Sequence, residues 1–292
     1  MGRLTHGTDA HRDAVASALI GWGIAELRDL PWRTTSDPWC ILVSEVMLQQ
    51  TSVARVLPKY ADFIGRFPDP AALAGAPLGE ALGMWQGLGY PRRCRNLREA
   101  ATRIRDDHGG VVPSTLEALL ALPGVGAYTA RAVLAFAHRA DVAVVDTNVS
   151  RVLSRLGNRP MTARELQDTA DSLVPRGMGW EWNQMIMELG ARICTARGPK
   201  CGQCPLEDPC AWRGQGDDPA PRSAGASRPQ GRFEGSDRQA RGRAMRAVSA
   251  AGVPREVVVA AMGVEPERAE RLIAALVAEG LMVDRGDSVA SP

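Results

Sequence analysis

STLEALLALPGVGAYTARAVLAFAHRADVAVVDTNV, residues 114–149, is the stretch around which the rest of the chain is organised. Ser114 and Glu117 have capping-box spacing behind Pro113, and Leu116, Leu119 and Leu120 follow as an apolar stripe, so a helix starts here. It ends at Leu122-Pro123-Gly124-Val125-Gly126, where proline cannot continue a helix and two glycines permit positive φ. A second helix begins at about Ala127. Its first N–H groups lack intrahelical acceptors beside two residues without side chains, a setting suited to a phosphate. An ordinary helical hairpin has the same pattern. The apolar run Val142–Val145 is too short for a helix and reads as a buried extended connection that delivers Asp146. Asp146 then caps a helix carrying Val149, Val152 and Leu153 and ending near Gly157, and its capping N–H groups are expected to keep the carboxylate ionised.

Composition narrows the setting. With 292 residues the chain can bury a full core and add a small second domain, and a net charge of +2 does not by itself announce nucleic acid. Lys59 and Lys200 are its two lysines; arginine supplies the remaining cationic side chains. The amino-terminal MGRLTHGTDAHRD has no apolar stretch of signal-peptide length, and no run approaches a membrane span, so a cytoplasmic protein without a membrane partner is expected. In that compartment six cysteines point to metal or catalysis before disulfides. Cys194, Cys201, Cys204 and Cys210 form C-x6-C-x2-C-x5-C, with one C-x2-C knuckle where a four-cysteine zinc ribbon has two. That leans toward iron–sulfur, with zinc left open by spacing alone. Cys40 and Cys94 read as buried thiols outside the set.

Residues 11–28 have helical apolar spacing, and Asp37-Pro38 starts a helix containing WCILVSEVMLQQT. Glu45 lies on it among Ile41, Leu42, Val46 and Met47. An ion pair, with Arg33 for instance, is the structural explanation of such a carboxylate. The functional one is an acid kept protonated by desolvation. Further amphipathic helices over 53–110 are expected to break at Pro58, at 67–70 and at 87–89. GLGYPRRCRNLREAA then sets Tyr90 beside Arg92, Arg93, Arg95 and Arg98, either a solvated charged face or phosphate contacts next to an aromatic wedge. GWEWNQMIMELGARIC reads as a helix, residues 215–236 have linker composition, and three short helices with a short strand follow, fitting a winged-helix-like module or a helical cap.

LPGVGAYTARAVLAF followed by VVDTNVSRVLSRL resembles the helix-hairpin-helix and Gly/Pro-Asp signature of the endonuclease III superfamily of DNA glycosylases. PWR, Asp37-Pro38 and SEVMLQQT are similar, within it, to the adenine DNA glycosylases of the MutY type. The resemblance covers about residues 10–213. It implies a mainly α fold, a helix-hairpin-helix DNA glycosylase with a six-helix barrel domain and a [4Fe-4S] cluster domain. The glycosylase domain would span 1–214, with 30–138 as barrel and hairpin and 1–29 with 139–214 as the cluster subdomain; 215–236 would be a linker and 237–292 the small module.

The resemblance also assigns roles. Glu45 would protonate adenine, Asp146 would stabilise the sugar cation, and Asn148 would help orient the site. Tyr128 would bond to Asp146 in place of the lysine with which strand-cutting relatives form a Schiff base. Trp32, Arg33 and Glu188 would line the adenine pocket, Gln50 and Tyr90 would enter the base stack, and Leu122, Gly124, Val125 and Gly126 would meet DNA. Pro91 departs from a second tyrosine common in the family. The four cysteines would hold [4Fe-4S], with Arg197 and Lys200 of their loop reaching phosphate. The expected partner of the monomeric protein is duplex DNA with adenine opposite 8-oxoguanine or guanine. The residues after Cys210 are too few for the family's Nudix-like domain and carry no Nudix-type glutamate motif. Two other readings are a thymine glycosylase acting on T:G mispairs and a non-catalytic iron–sulfur DNA-binding protein.

Overall fold

Apolar residues three and four apart set nearly every helix in the computed structural model, which describes residues 9–226 and 230–292. Residues 1–8, part of the amino-terminal stretch read above, and linker positions 227–229 lie outside the described residues. In chain order the helices are α1 (Asp9–Gly23), α2 (Pro38–Leu48), α3 (Val53–Arg66), α4 (Pro70–Gly75), α5 (Leu78–Trp85), α6 (Arg92–Asp107) and α7 (Leu116–Leu120). There follow α8 (Ala127–Ala137), α9 (Thr147–Leu156), α10 (Ala163–Leu173), α11 (Gly179–Arg192), α12 (Asp237–Ala247), α13 (Arg255–Met262) and α14 (Pro266–Ala278). Three short strands, β1 (Val253–Pro254), β2 (Val283–Asp284) and β3 (Ser288–Ala290), lie in the last part of the chain. No helix among the described residues is long and apolar enough to cross a membrane.

The chain divides into two compact units. The first comprises Met1–Pro38, Ser114–Leu116 and Gly126–Arg228. Its core is built from Val15 and Leu19 of α1, Val149, Val152 and Leu153 of α9, Leu166 of α10, and Trp182, Met185, Ile186 and Leu189 of α11. Residues 142–145 form the extended connection that their apolarity predicts. Buried Asn183 takes the place of a neighbouring strand, accepting from the Val144 N–H at 2.7 Å and donating to the Val142 carbonyl at 2.8 Å. Asp171 accepts from the Ala143 N–H at 2.9 Å. The linker-like composition of 215–226 conceals a packed segment: Asp218 pairs with Arg155 at 2.7 Å, Ser223 bonds Ser154 at 2.7 Å, and the Ala224 N–H donates to the Met161 carbonyl at 2.8 Å.

The second unit comprises Trp39–Pro113, Glu117–Val125 and Pro229–Pro292. Phe63 meets Phe67 and Trp85 edge-on, with ring centroids 4.9 and 5.7 Å apart, and the Trp39 indole donates to the Phe67 carbonyl. That apolar face explains why Pro58 does not break α3. Its missing N–H costs one hydrogen bond, and buried Val56, Tyr60 and Phe63 keep the helix seated on both sides of it. At the carboxyl end α12, α13 and α14 pack with an antiparallel sheet of order β1-β3-β2, a winged-helix-like arrangement. Two of its strands escape sequence reading, because Val253-Pro254 and Ser288–Ala290 are too short to show alternation.

Candidate functional site

The hairpin forms with two corrections. Helix α7 begins at Leu116, one residue later than a helix capped by Ser114 would. Of the two glycines, Gly124 uses positive φ (77°), and a Cβ there would meet Asn96 at 2.8 Å. Gly126 has φ −92° and open space around its Cβ position, so it leaves room at the start of α8 rather than relieving strain. The Val125 N–H bonds to the Leu122 carbonyl at 3.1 Å and closes the turn.

Asp146 is the N-cap of α9, accepting from the N–H groups of Asn148 and Val149 at 2.8 and 2.7 Å and from the Asn148 side chain at 2.8 Å. Burial outweighs these bonds and pushes its carboxyl above the usual carboxylate range. The capping N–H groups pull the pKa down, as expected of a cap, and desolvation is the larger opposing effect. The Asn148 side-chain oxygen accepts from Arg151 at 2.8 Å, and Arg151 donates to the carbonyls of Cys194 and Gly190 at 2.7 and 2.6 Å. The cap is therefore tied to the first cysteine of the loop through one arginine. A Cβ at Gly190 would approach that of Asn148 to 2.6 Å, so glycine lets α11 and α9 come this close.

Glu45 is 5% exposed on α2, between buried Ser44 and Val46 and one turn from Ile41 and Leu42. Trp32 is buried in the turn Pro31–Arg33. Arg33 donates to Gln184 at 2.6 Å and pairs with Glu188 at 2.8 Å. Glu188 is 0% exposed and also takes Arg28 at 2.9 and 3.0 Å through its two oxygens. Glu188, expected to line the adenine pocket, is closed to solvent and engaged by two guanidinium groups. Tyr128 is half-buried in the first turn of α8.

Gln50 and Tyr90 share an unusual feature, positive φ of 56° and 49° in residues other than glycine. The residue that holds both turns is Arg93, which sequence reading placed among phosphate-binding or solvated arginines. Its guanidinium donates to the carbonyls of Val46 (2.7 Å), Met47 (2.9 Å), Leu88 (3.1 Å) and Gly89 (3.0 Å), and to the Thr51 hydroxyl (2.9 Å). Burial lowers its pKa to about 10, which leaves it charged at neutral pH. Arg98 is likewise structural, bonding the carbonyls of Ala76 and Ala74 at the end of α4. Arg93→Met should cost about 3 kcal/mol by orphaning these acceptors. At roughly 2–4 °C per kcal/mol, a melt should show a drop of roughly 6–12 °C, whereas a change under 2 °C would remove the anchoring role.

Cys194, Cys201, Cys204 and Cys210 line one cavity with Arg155 and Trp212. Among the described residues no three of His, Cys, Asp and Glu close round a single metal ion. Arg155 donates to the Cys194 sulfur at 3.3 Å and to the Thr195 carbonyl at 2.8 Å, and its guanidinium lies 4.5 Å from the Trp212 ring centroid. Burial raises the thiols of Cys194 and Cys201 and pushes Cys204 up to about 11. Arg197 and Lys200 are exposed on the loop between Cys194 and Cys201. Cys94 is buried, as expected of a thiol outside the set.

Residues 43–176 match the model of the HhH-GPD superfamily base excision DNA repair proteins. The chain is 45% identical over 273 residues to the adenine DNA glycosylase of Mycobacterium tuberculosis (strain H37Rv), covering 90% of this chain and 88% of the relative. Among solved structures, a thermostable thymine-DNA glycosylase matches with a TM-score of 0.66 at 31% identity, covering 71% of this chain and 98% of the other. Endonuclease III in a trapped covalent DNA intermediate matches with a TM-score of 0.61 at 25% identity, covering 72% and 98%. A mainly helical chain with this hairpin, an aspartate capping the helix beyond it, and identity along nine-tenths of its length belongs to the HhH-GPD superfamily of base excision DNA repair proteins, among the adenine DNA glycosylases of the MutY type.

Proposed function

We propose that the chain hydrolyses the N-glycosidic bond of adenine mispaired with 8-oxoguanine or guanine in duplex DNA, as a monomeric, monofunctional glycosylase of base excision repair in the cytoplasm and nucleoid. The observation that carries this reading is Glu45, a carboxyl group 5% exposed on an apolar helix. A carboxyl group sheltered in this way is the candidate to give a proton to a leaving base. The glycosidic bond is out of reach in a stacked duplex, so the nucleotide must be turned out and its place filled. Gln50 and Tyr90, set at positive φ on turns anchored by Arg93, are the residues proposed to enter the stack. The N–H groups at Gly126 and the start of α8, beside the Leu122–Val125 turn, would hold a backbone phosphate.

In the proposed reaction Glu45 protonates the adenine ring as the bond to the sugar breaks, then takes a proton from the attacking water. Asp146 stabilises the oxocarbenium-like sugar, or bonds to it transiently in the manner of a two-carboxylate retaining glycosidase. A desolvated carboxylate gains most when a cation forms beside it, and the raised pKa of Asp146 fits that task. Asn148 fixes the orientation of Asp146, and Tyr128 supports it by hydrogen bond. Glu188 works as a positioning residue: it holds Arg33 and Arg28, while Arg33 and Trp32 line the pocket. A phenol at position 128 cannot form a Schiff base, so strand scission should be absent.

Cys194, Cys201, Cys204 and Cys210 are proposed to hold a [4Fe-4S] cluster. Four thiols that line one cavity and carry a single C-x2-C knuckle support an iron–sulfur centre over a four-cysteine zinc ribbon. The cluster would supply a folded loop that presents Arg197 and Lys200 to DNA phosphate. Purified protein should be brown, with about four iron atoms per chain expected from the four thiolate ligands; stoichiometric zinc without iron would overturn the assignment.

A thymine-specific reading draws on the likeness to thymine-DNA glycosylases, one of them 39% identical over 210 residues. Single-turnover base release separates the readings on duplexes with A opposite 8-oxoguanine, A opposite G, and T opposite G. Release is expected from the first two without strand cleavage; release from T:G alone favours thymine, and tight binding without release favours a non-catalytic protein.

A further inference from the structure

Residues 230–238, QGRFEGSDR, have the composition of a linker, yet the second unit builds them into a fixed turn. The Gln230 side-chain N–H donates to the Tyr90 hydroxyl at 2.8 Å and, more weakly at 3.4 Å, to the Gln50 side-chain oxygen. Its own oxygen accepts from Arg238, which also donates to the Gly231 carbonyl at 2.6 Å and lies over the Phe233 ring at 5.9 Å. Ser236 caps α12, and its hydroxyl donates to the Phe233 carbonyl at 2.5 Å. Arg268 of α14 clamps the turn from behind, pairing with Asp237 at 2.6 Å and donating to the Gly235 carbonyl at 3.1 Å. The module that carries the turn is fastened to the rest of its unit, the Gly79 N–H donating to the Pro292 carbonyl at 2.7 Å and Arg95 to the Glu279 carbonyl. Phe233 is nevertheless 59% exposed. A large apolar ring held out to solvent on a pinned backbone, flanked by arginines and a carboxamide, is a surface that stacks on a base and grips its backbone. The one carboxylate at the tip, Glu234, is neutralised by Arg232 at 2.9 Å.

We infer that the turn Gln230–Arg238 contacts the base left opposite the excised adenine, so that preference for that base resides in this turn. The inference rests on the adenine-glycosylase reading, in which Gln50 and Tyr90 fill the gap left by the extrahelical nucleotide. A residue bonded to both of them is placed beside the base left behind, and Phe233 is the exposed aromatic of the same turn. 8-Oxoguanine carries an N7–H donor that guanine lacks, and the Gln230 and Glu234 side-chain oxygens are acceptors within this turn.

The test uses the full chain with Phe233→Ala and Gln230→Ala. Single-turnover adenine release is measured with adenine opposite 8-oxoguanine, opposite guanine, and opposite a tetrahydrofuran abasic analogue that offers no base. Phe233→Ala should slow release opposite 8-oxoguanine by about tenfold, the scale of one lost base–aromatic stack, and leave release opposite the abasic analogue within about twofold. Gln230→Ala should narrow the ratio of 8-oxoguanine to guanine rates. Variants that slow all three duplexes equally, or none, overturn the inference while the glycosylase reading stands. Wild-type protein that frees no adenine from any duplex removes both.

Discussion

Glu45→Gln should reduce single-turnover adenine release by about 10²–10⁴-fold, the range expected when a positioned general acid is lost. Glutamine has nearly the shape of glutamic acid and suits a site that is 5% exposed, so the fold and DNA affinity should survive within about threefold. The loss should fall almost wholly on the chemical step, because a group that binds ground state and transition state alike would raise KM instead. Turnover within tenfold of wild type would remove Glu45 from the mechanism.

Asp146→Asn is the second large effect, and it separates catalysis from stability. Asparagine caps a helix as well as aspartate does, so the N–H groups of Asn148 and Val149 keep their acceptor. What disappears is the anion, and base release should fall by about 10³-fold or more. The stability change has the opposite sign from that of a typical capping aspartate. Burial raises the Asp146 pKa in the folded chain, so the folded state holds this proton more tightly than the unfolded one. Its contribution to stability is complete below the unfolded pKa and is lost as pH rises through the folded value, which leaves a penalty at neutral pH. Asp146→Asn removes that penalty; thermal melts at neutral pH should show a midpoint equal to or above wild type, and the difference should shrink in acid. A variant that is inactive because it melts many degrees lower would instead mean that Asp146 is a structural cap. Activity carries the complementary signature, since Asp146 must be ionised to work. The acid limb of the wild-type profile should lie above the ordinary aspartate range.

The parts of this molecule that local rules govern were legible in the sequence. Helix α8, the N-cap at Asp146, the extended run before it and the end of α9 near Gly157 follow from periodicity, capping and glycine placement. Burial of Glu45 followed from its apolar neighbours. The parts set by distant partners were not. Arg93 looks like one of several surface arginines, and nothing within a helical turn of it reveals that its acceptors lie on α2 and on the turn before α6. Asn183 serves the backbone of residues about 40 positions earlier, and Glu188 is consumed by arginines about 160 positions away. The raised pKa of Asp146 was missed for the same reason, since its capping bonds are local and its desolvation comes from packing. Pro58 and residues 215–226 misled in the opposite sense: their composition signals a break or a linker, and tertiary burial overrides it. Positive φ at Gln50 and Tyr90 leaves no compositional trace, because neither residue type favours it.

The most direct measurement is chromatographic identification of the base freed from one duplex carrying an A:G and a T:G mispair, with enzyme in excess. Free adenine, an uncut abasic strand, and strongly slowed release by the Glu45→Gln and Asp146→Asn proteins are the predicted results. Free thymine, or adenine released by either variant at the wild-type rate, would contradict the account.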